Sequence, residues 1–106
     1  MTVPNTWFVY MILTSDRQVY TGITTDMARR WYEHASGKAG ARYFRGRSPI
    51  ELCYLENDHT RSTASRREAA IKAMNAKNKH QLIEQHREQT LNHITTYQLD
   101  QLGSHE

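Results

Sequence analysis

The chain has little that would brace it covalently or bury it in a bilayer. Cys53 is the single cysteine in 106 residues, so no internal disulfide can form, and a reducing cytoplasm is the expected home. Cys53 falls in a predicted strand and reads as a small buried hydrophobe. No apolar run approaches the ~20 residues that a membrane-spanning helix needs. Residues 1–5 carry neither a positive nor an apolar leader segment, so no signal peptide is expected. His59, His80, His86, His93 and His105 have no cysteine pair beside them and form no zinc spacing. Repeats and low-complexity blocks are absent. A hydrophobic content of 38% makes a modest core, and the length suits one compact domain.

Acidic residues are scarce in two zones. Residues 28–47 hold Arg29, Arg30, Lys38, Arg42, Arg45 and Arg47 against Glu33 alone, a net of +5. Residues 61–79 hold Arg61, Arg66, Arg67, Lys72, Lys77 and Lys79 against Glu68 alone, again +5. Segregated positive charge on a small domain points to a polyanion, most naturally nucleic acid; the plainer reading is two solvated faces.

The patterning predicts strands over 7–14 and 17–24, joined by the polar turn Thr14-Ser15-Asp16-Arg17-Gln18 into an antiparallel hairpin. The first strand is apolar at nearly every position, which suits the centre of a sheet. Thr25 or Asp26 caps a helix that runs to about Ala35 and ends at Gly37. Met27, Trp31 and Ala35 form its packing stripe, with Arg30 and His34 at the rim and Arg29 and Glu33 further out. A basic, glycine-punctuated loop over 37–48 follows, and Pro49 precedes a third strand, 50–56. Residues 57–60 read as a turn. Two helices follow, about 62–74 and 79–88, with Ala64, Ile71, Met74, Leu82 and Ile83 inward. Residues 89–106 have weak periodicity and read as an extension, either partly helical near 91–99 or a loose tail.

Two phenols, Tyr10 and Tyr20, thus ride one hairpin, and a helix bearing a guanidinium and an imidazole follows at once. That grouping beside one sheet edge suggests phosphoryl chemistry. Each residue has a duller account: strand aromatics pair across strands, His34 could favour a helix C-terminus, and Glu68 could pair with Lys72 at i, i+4. Tyr43 and Phe44 interleave with the loop cations. That suits base stacking, or equally an aromatic pair turned inward.

The order β-β-α-β-α-α over residues 7–83 resembles the GIY-YIG nuclease superfamily, and its small single-domain bacterial branch in particular. Val9-Tyr10 stands for the first half of the signature and Tyr20-Thr21-Gly22 for the second. Gly22 and Thr24 complete the motif, Arg30 and His34 follow at the expected offsets, and Glu68 opens Glu-Ala-Ala-Ile-Lys. The resemblance implies an α+β fold with a three-stranded antiparallel sheet flanked by helices, the nuclease-type domain over 1–88. It also implies hydrolysis of DNA phosphodiesters with one divalent cation, Mg2+ or Mn2+. By the same likeness Tyr10 or Tyr20 is the general base, Arg30 holds the scissile phosphate, His34 assists, and Glu68 binds the metal. Arg29, Lys38, Arg42, Arg45, Arg47, Arg66, Arg67 and Lys72 are the cations expected on DNA. Phe8 replaces the first motif's glycine. Ile23 stands where excision-repair relatives carry a lysine, whose charge Lys38 could supply.

The expected function is a cytoplasmic, metal-dependent DNA endonuclease or nickase, in repair or recombination, whose specificity is either weak or borrowed from a partner protein. The alternative is a module of the same fold that binds branched or damaged DNA, or supports a partner nuclease, without cutting. An RNA- or protein-directed adaptor is a third reading. An enzyme requires Tyr10, Tyr20, Arg30, His34 and Glu68 to converge; a binder requires only the basic face.

Overall fold

The computed structural model describes residues 5–37, 42–100 and 102. Strand β1 (Trp7–Thr14) and strand β2 (Val19–Thr24) form the predicted hairpin, with Tyr10 opposite Gly22 and Ile12 opposite Tyr20. The Thr14 amide donates to the Gln18 carbonyl at 2.9 Å, and Arg17 takes the left-handed turn position at φ 65°. Strand β3 (Pro49–His59) pairs antiparallel with the other side of β1, so the sheet order is β2-β1-β3 and the apolar strand is central.

Because β1 is buried on both faces, its alternate residues seed two cores. Phe8, Tyr10 and Ile12 face one side, with Met27, Trp31, Phe44, Leu52, Leu55 and Leu99. Val9 and Met11 face the other, with Tyr54, Ala64, Ile71 and Ile83. Helix α1 (Met27–Ser36) covers the first face, and helices α2 (Arg61–Lys72) and α3 (Ala76–Gln85) cover the second. Asp26 caps α1 by accepting from the Arg29 amide at 3.1 Å, and Gly37 ends it in the left-handed conformation at φ 75°. Cys53 is half-buried against the second core. Burial pushes its thiol up to about 12, which suits the hydrophobe read from the sequence.

Several details depart from the sequence pattern. Ala35 was expected in the α1 stripe but is exposed; His34 is buried in its place, so the stripe runs Met27, Trp31, His34 at i, i+4, i+7. The expected turn at 57–60 is strand as far as His59, which pairs with Trp7 across a register shift. Tertiary pairing overrides the turn propensity of Asn57-Asp58, and Asp58 absorbs the irregularity at φ 66°. The break read between Asn75 and Asn78 is a helix start: the Asn75 side chain accepts from the Asn78 amide at 2.8 Å and α3 begins at Ala76. A 3-10 turn, Arg42–Phe44, lies in the basic loop.

A fourth helix, α4 (Arg87–Thr96), packs along β3. The Leu55 amide donates to Thr90 Oγ1 at 3.2 Å, and His86 Nε2 lies 3.3 Å from the Leu55 carbonyl. Leu99 then joins the first core. The helix is hard to read from sequence because its one fully buried side chain is the polar Thr90, while Leu91 is exposed.

Candidate active site

The hairpin register brings the two phenols together. Tyr10 and Tyr20 are diagonal neighbours on one face, with ring centroids 6.1 Å apart. The intervening position opposite Tyr10 is Gly22. A Cβ there would lie 2.5 Å from Tyr10 Oη and 2.7 Å from Tyr10 Cζ, so only glycine leaves room for the phenol. Helix α1 then delivers His34, whose Nε2 lies 2.8 Å from Tyr10 Oη. The His34 ring meets Tyr20 edge-on at 5.3 Å and stacks on Phe44 at 4.2 Å. Tyr43 adds a further ring 5.2 Å from Tyr20. Phe44 packs inward and Tyr43 is half-buried, which decides the alternatives left for the loop aromatics in favour of packing.

Arg30, one turn before His34 on α1, hydrogen-bonds the Tyr10 phenol and pairs with Glu33 at 2.9 Å. Glu33 also takes Arg29 at 3.2 Å, and the Arg30 hydrogen bond holds its carboxyl below the usual range. Glu33 was read as merely outward; its i+3 and i+4 spacing from Arg30 and Arg29 is the sequence signal for this bridge. Phe44 had no comparable signal, because its contact with His34 is non-local.

Burial, with the neighbouring Tyr20, drives the Tyr10 phenol above its ordinary range, opposed by Arg30. Burial and the Arg30 charge push His34 down to about 4. Both groups are therefore neutral near pH 7, and one proton lies on the line between them. The unfolded chain protonates this histidine near pH ~6.5, so stability from keeping it neutral is complete above that pH and drains away toward pH 4. Its size is on the order of 3 kcal/mol. Urea unfolding across pH 4–7 should show this loss in the wild type, and His34→Gln should flatten that part of the profile. An unchanged slope in the variant would refute the assignment.

Glu68 lies elsewhere. Helix α2 packs on the opposite face of the sheet, among Val9 and Met11. Arg67 turns toward β3, where its guanidinium meets the Glu56 carboxylate at 3.2 Å and the Tyr54 hydroxyl at 3.4 Å. Glu68 follows it on α2, about 100° further round the helix. It pairs with Lys72 at 3.3 Å and its side chain is 23% exposed. The structure thus groups Tyr10, Tyr20, Arg30 and His34 on one face and sets Glu68, on α2, against the other, so four of the five expected residues converge. A cleft of about 290 Å³ lies where β2 leads into α1, lined by Trp7, Ile23, Thr24, Arg29, Arg30 and Glu33 among others, and of the five residues only Arg30 borders it. Thr24 holds the hairpin exit there, accepting from the Asp26 amide at 3.1 Å. Ile23 leans on the second core.

The donor set fits a hard cation held by one carboxylate with water completing its shell. Lys72 is an exposed partner, and such a pair is worth about 1 kcal/mol or less, so a cation can displace it. Zinc does not fit: no group of three His, Cys, Asp or Glu side chains converges among the described residues.

The cations expected on DNA divide into paired and open ones. Arg47 is held by Asp16 at 2.7 Å and lies over the Tyr43 ring at 4.1 Å, tying the loop to the hairpin turn. Arg29, Arg67 and Lys72 also have carboxylate partners. Arg42, Arg45 and Arg66 are exposed, with no carboxylate partner among the described residues. Lys38 lies outside the described residues.

An antiparallel sheet with two phenols from β1 and β2, and a guanidinium and an imidazole from α1, on one face is the frame of a nuclease-type domain. The chain belongs to the GIY-YIG family, whose catalytic domain matches residues 6–92. It is 49% identical over 77 residues to UPF0213 protein DP2720 of Desulfotalea psychrophila, covering 73% of this chain and 70% of that protein. It is 42% identical over 77 residues to UPF0213 protein YhbQ of Escherichia coli, covering 73% of this chain and 76% of that one. The solution structure of UPF0213 protein BH0048 from Bacillus halodurans matches with a TM-score of 0.51 and 37% identity, over 76% of this chain and 85% of that one. Among the described residues no helix is long and apolar enough to cross a membrane.

Proposed function

We propose that this chain is a DNA endonuclease or nickase that uses one divalent cation, Mg2+ or Mn2+, in repair or recombination. The observation that carries the reading is the mutual contact of Tyr10, Tyr20, Arg30 and His34 at the β2 margin. Tyr20 is the proposed general base, because it is half-buried while Tyr10 is wholly buried and held protonated. Tyr10 and His34 are positioning residues that fix the Tyr20 ring and the Arg30 fork. Arg30 offers its planar donors to the scissile phosphate in exchange for part of its contact with Glu33. Glu68 would hold the cation, which when bound supplies charge neutralisation at the phosphoryl oxygens.

Purified protein should cut supercoiled, nicked, flapped or four-way-junction DNA with magnesium or manganese. Tyr20→Phe and Glu68→Ala should each lower the rate at least ~10²-fold. Cutting that survives both changes would overturn this assignment of the site. A second reading, a DNA-binding module of the same fold that supports a partner nuclease, is favoured by one observation: Glu68 is engaged by Lys72. Salt-sensitive binding without cutting under any of these conditions would select it.

A further inference from the structure

A second cleft lies beyond the hairpin turn, on the α3 side of the sheet. It measures about 270 Å³ and is lined by Arg17, Gln18, Val19, Ala76, Lys79 and His80. No carboxylate lines it. Arg17 and Lys79 have no carboxylate partner among the described residues. The nearest acid in sequence, Asp16, is drawn away: it accepts from Thr14 Oγ1 at 2.5 Å and from Arg47 Nε at 2.7 Å. Arg17 is presented by a fixed backbone, since its amide donates to the Thr14 carbonyl at 2.9 Å.

The opposite wall places a cation where a helix does not want it. Lys79 is the fourth residue of α3, whose first turn carries no acidic residue, although the positive end of the helix dipole disfavours positive side chains there. Positive potential is therefore concentrated on this cleft at some expense to the helix. The cleft is also close to the site. Arg17 precedes Tyr20 by three residues, at most about 11 Å of chain. In β2, Tyr20 faces the α1 side while Val19 faces the cleft. A strand of polyanion that wraps the β2 edge would touch both.

We propose that the Arg17–Lys79–His80 cleft binds the phosphodiester backbone of the same DNA, next to the phosphate held at Arg30. The proposal takes the identity of the polyanion from the nuclease reading. Its role is to anchor the strand across the β2 edge.

The test is binding of a fluorescein-labelled 20-base-pair duplex in EDTA, by anisotropy, across 50–300 mM KCl. The Arg17→Glu/Lys79→Glu variant is compared with wild type and with Arg87→Glu/Gln89→Glu/Asn92→Glu, which makes the same change in net charge at exposed positions of α4. The cleft variant should lower the slope of log K against log[KCl] by about 2, one unit per phosphate contact. Its affinity at 100 mM KCl should fall on the order of tenfold, and the control should move the slope by less than half as much. Equal weakening in both variants, or no change in the cleft variant, would overturn the proposal. Circular dichroism melts verify that each variant is folded, and Arg17→Gln/Lys79→Gln repeats the measurement if the charge reversal unfolds. Binding is read without metal, so the two readings fail separately. A wild type that binds through the cleft yet cuts nothing refutes the nuclease; a wild type that cuts while the cleft variant binds normally refutes the cleft.

Discussion

Gly22→Ala is expected to abolish cleavage and to lower stability by about 1–3 kcal/mol, as overpacking in a close-packed core does. The added methyl would meet Tyr10 Oη at 2.5 Å, Tyr10 Cζ at 2.7 Å and Tyr20 Cε2 at 3.0 Å. Neither ring has an easy retreat. Tyr10 is wholly buried with its hydroxyl on His34, and Tyr20 is walled by Tyr43, Phe44 and His34. One methyl therefore displaces both phenols. Urea midpoints and cleavage rates measure the two halves of the effect. In a double-mutant cycle with Tyr10→Leu, which vacates the collision, the alanine should cost less than it does alone. A Gly22→Ala protein with the wild-type midpoint and rate would show that the phenols do not need that gap.

Arg30→Ala should slow cleavage by about 10²–10³-fold, the range for losing one preorganised donor to developing charge. Its side chain is 27% exposed, so it is positioned by Tyr10 and Glu33 yet open to a phosphate. Lysine keeps the charge but cannot reach the phenol, the carboxylate and a phosphate with one ammonium. Arg30→Lys should therefore recover less than a tenth of the lost rate. Glu33→Gln should act oppositely on binding, because it removes the carboxylate that engages Arg29 and Arg30, and tighten DNA several-fold in EDTA. Equal activity of Arg30→Lys and wild type would leave only a charge requirement at this position.

The hairpin, the central place of β1 and the span of α1 were legible because each rests on local pattern: an apolar run, a polar turn, and a helix bounded by Asp26 and Gly37. Tyr10, Tyr20, Arg30 and His34 were legible as a group because strand and helix periods fix their faces. The depth of His34 was not. An imidazole reads as a rim residue until Tyr10 supplies a partner for it inside the core. The length of β3 was hidden by Asn57-Asp58, whose turn propensity yields to pairing with Trp7. Helix α4 was hidden because the side chain it buries deepest is Thr90. The placement of Glu68 on the second face follows from how α2 crosses the sheet, which no local pattern encodes.

The two margins of the sheet are unlike. At β3, Thr90 and His86 satisfy the Leu55 amide and carbonyl with side chains, in the manner of a missing fourth strand. Among the described residues nothing comparable is hydrogen-bonded along the outer side of β2. An unpaired strand edge is a template for another chain. Growth of this sheet by strand addition, whether into a dimer or a fibril, is therefore directed to β2, and it would seal the margin that Tyr20 and Arg30 share. Self-association by that route and access to the site exclude each other.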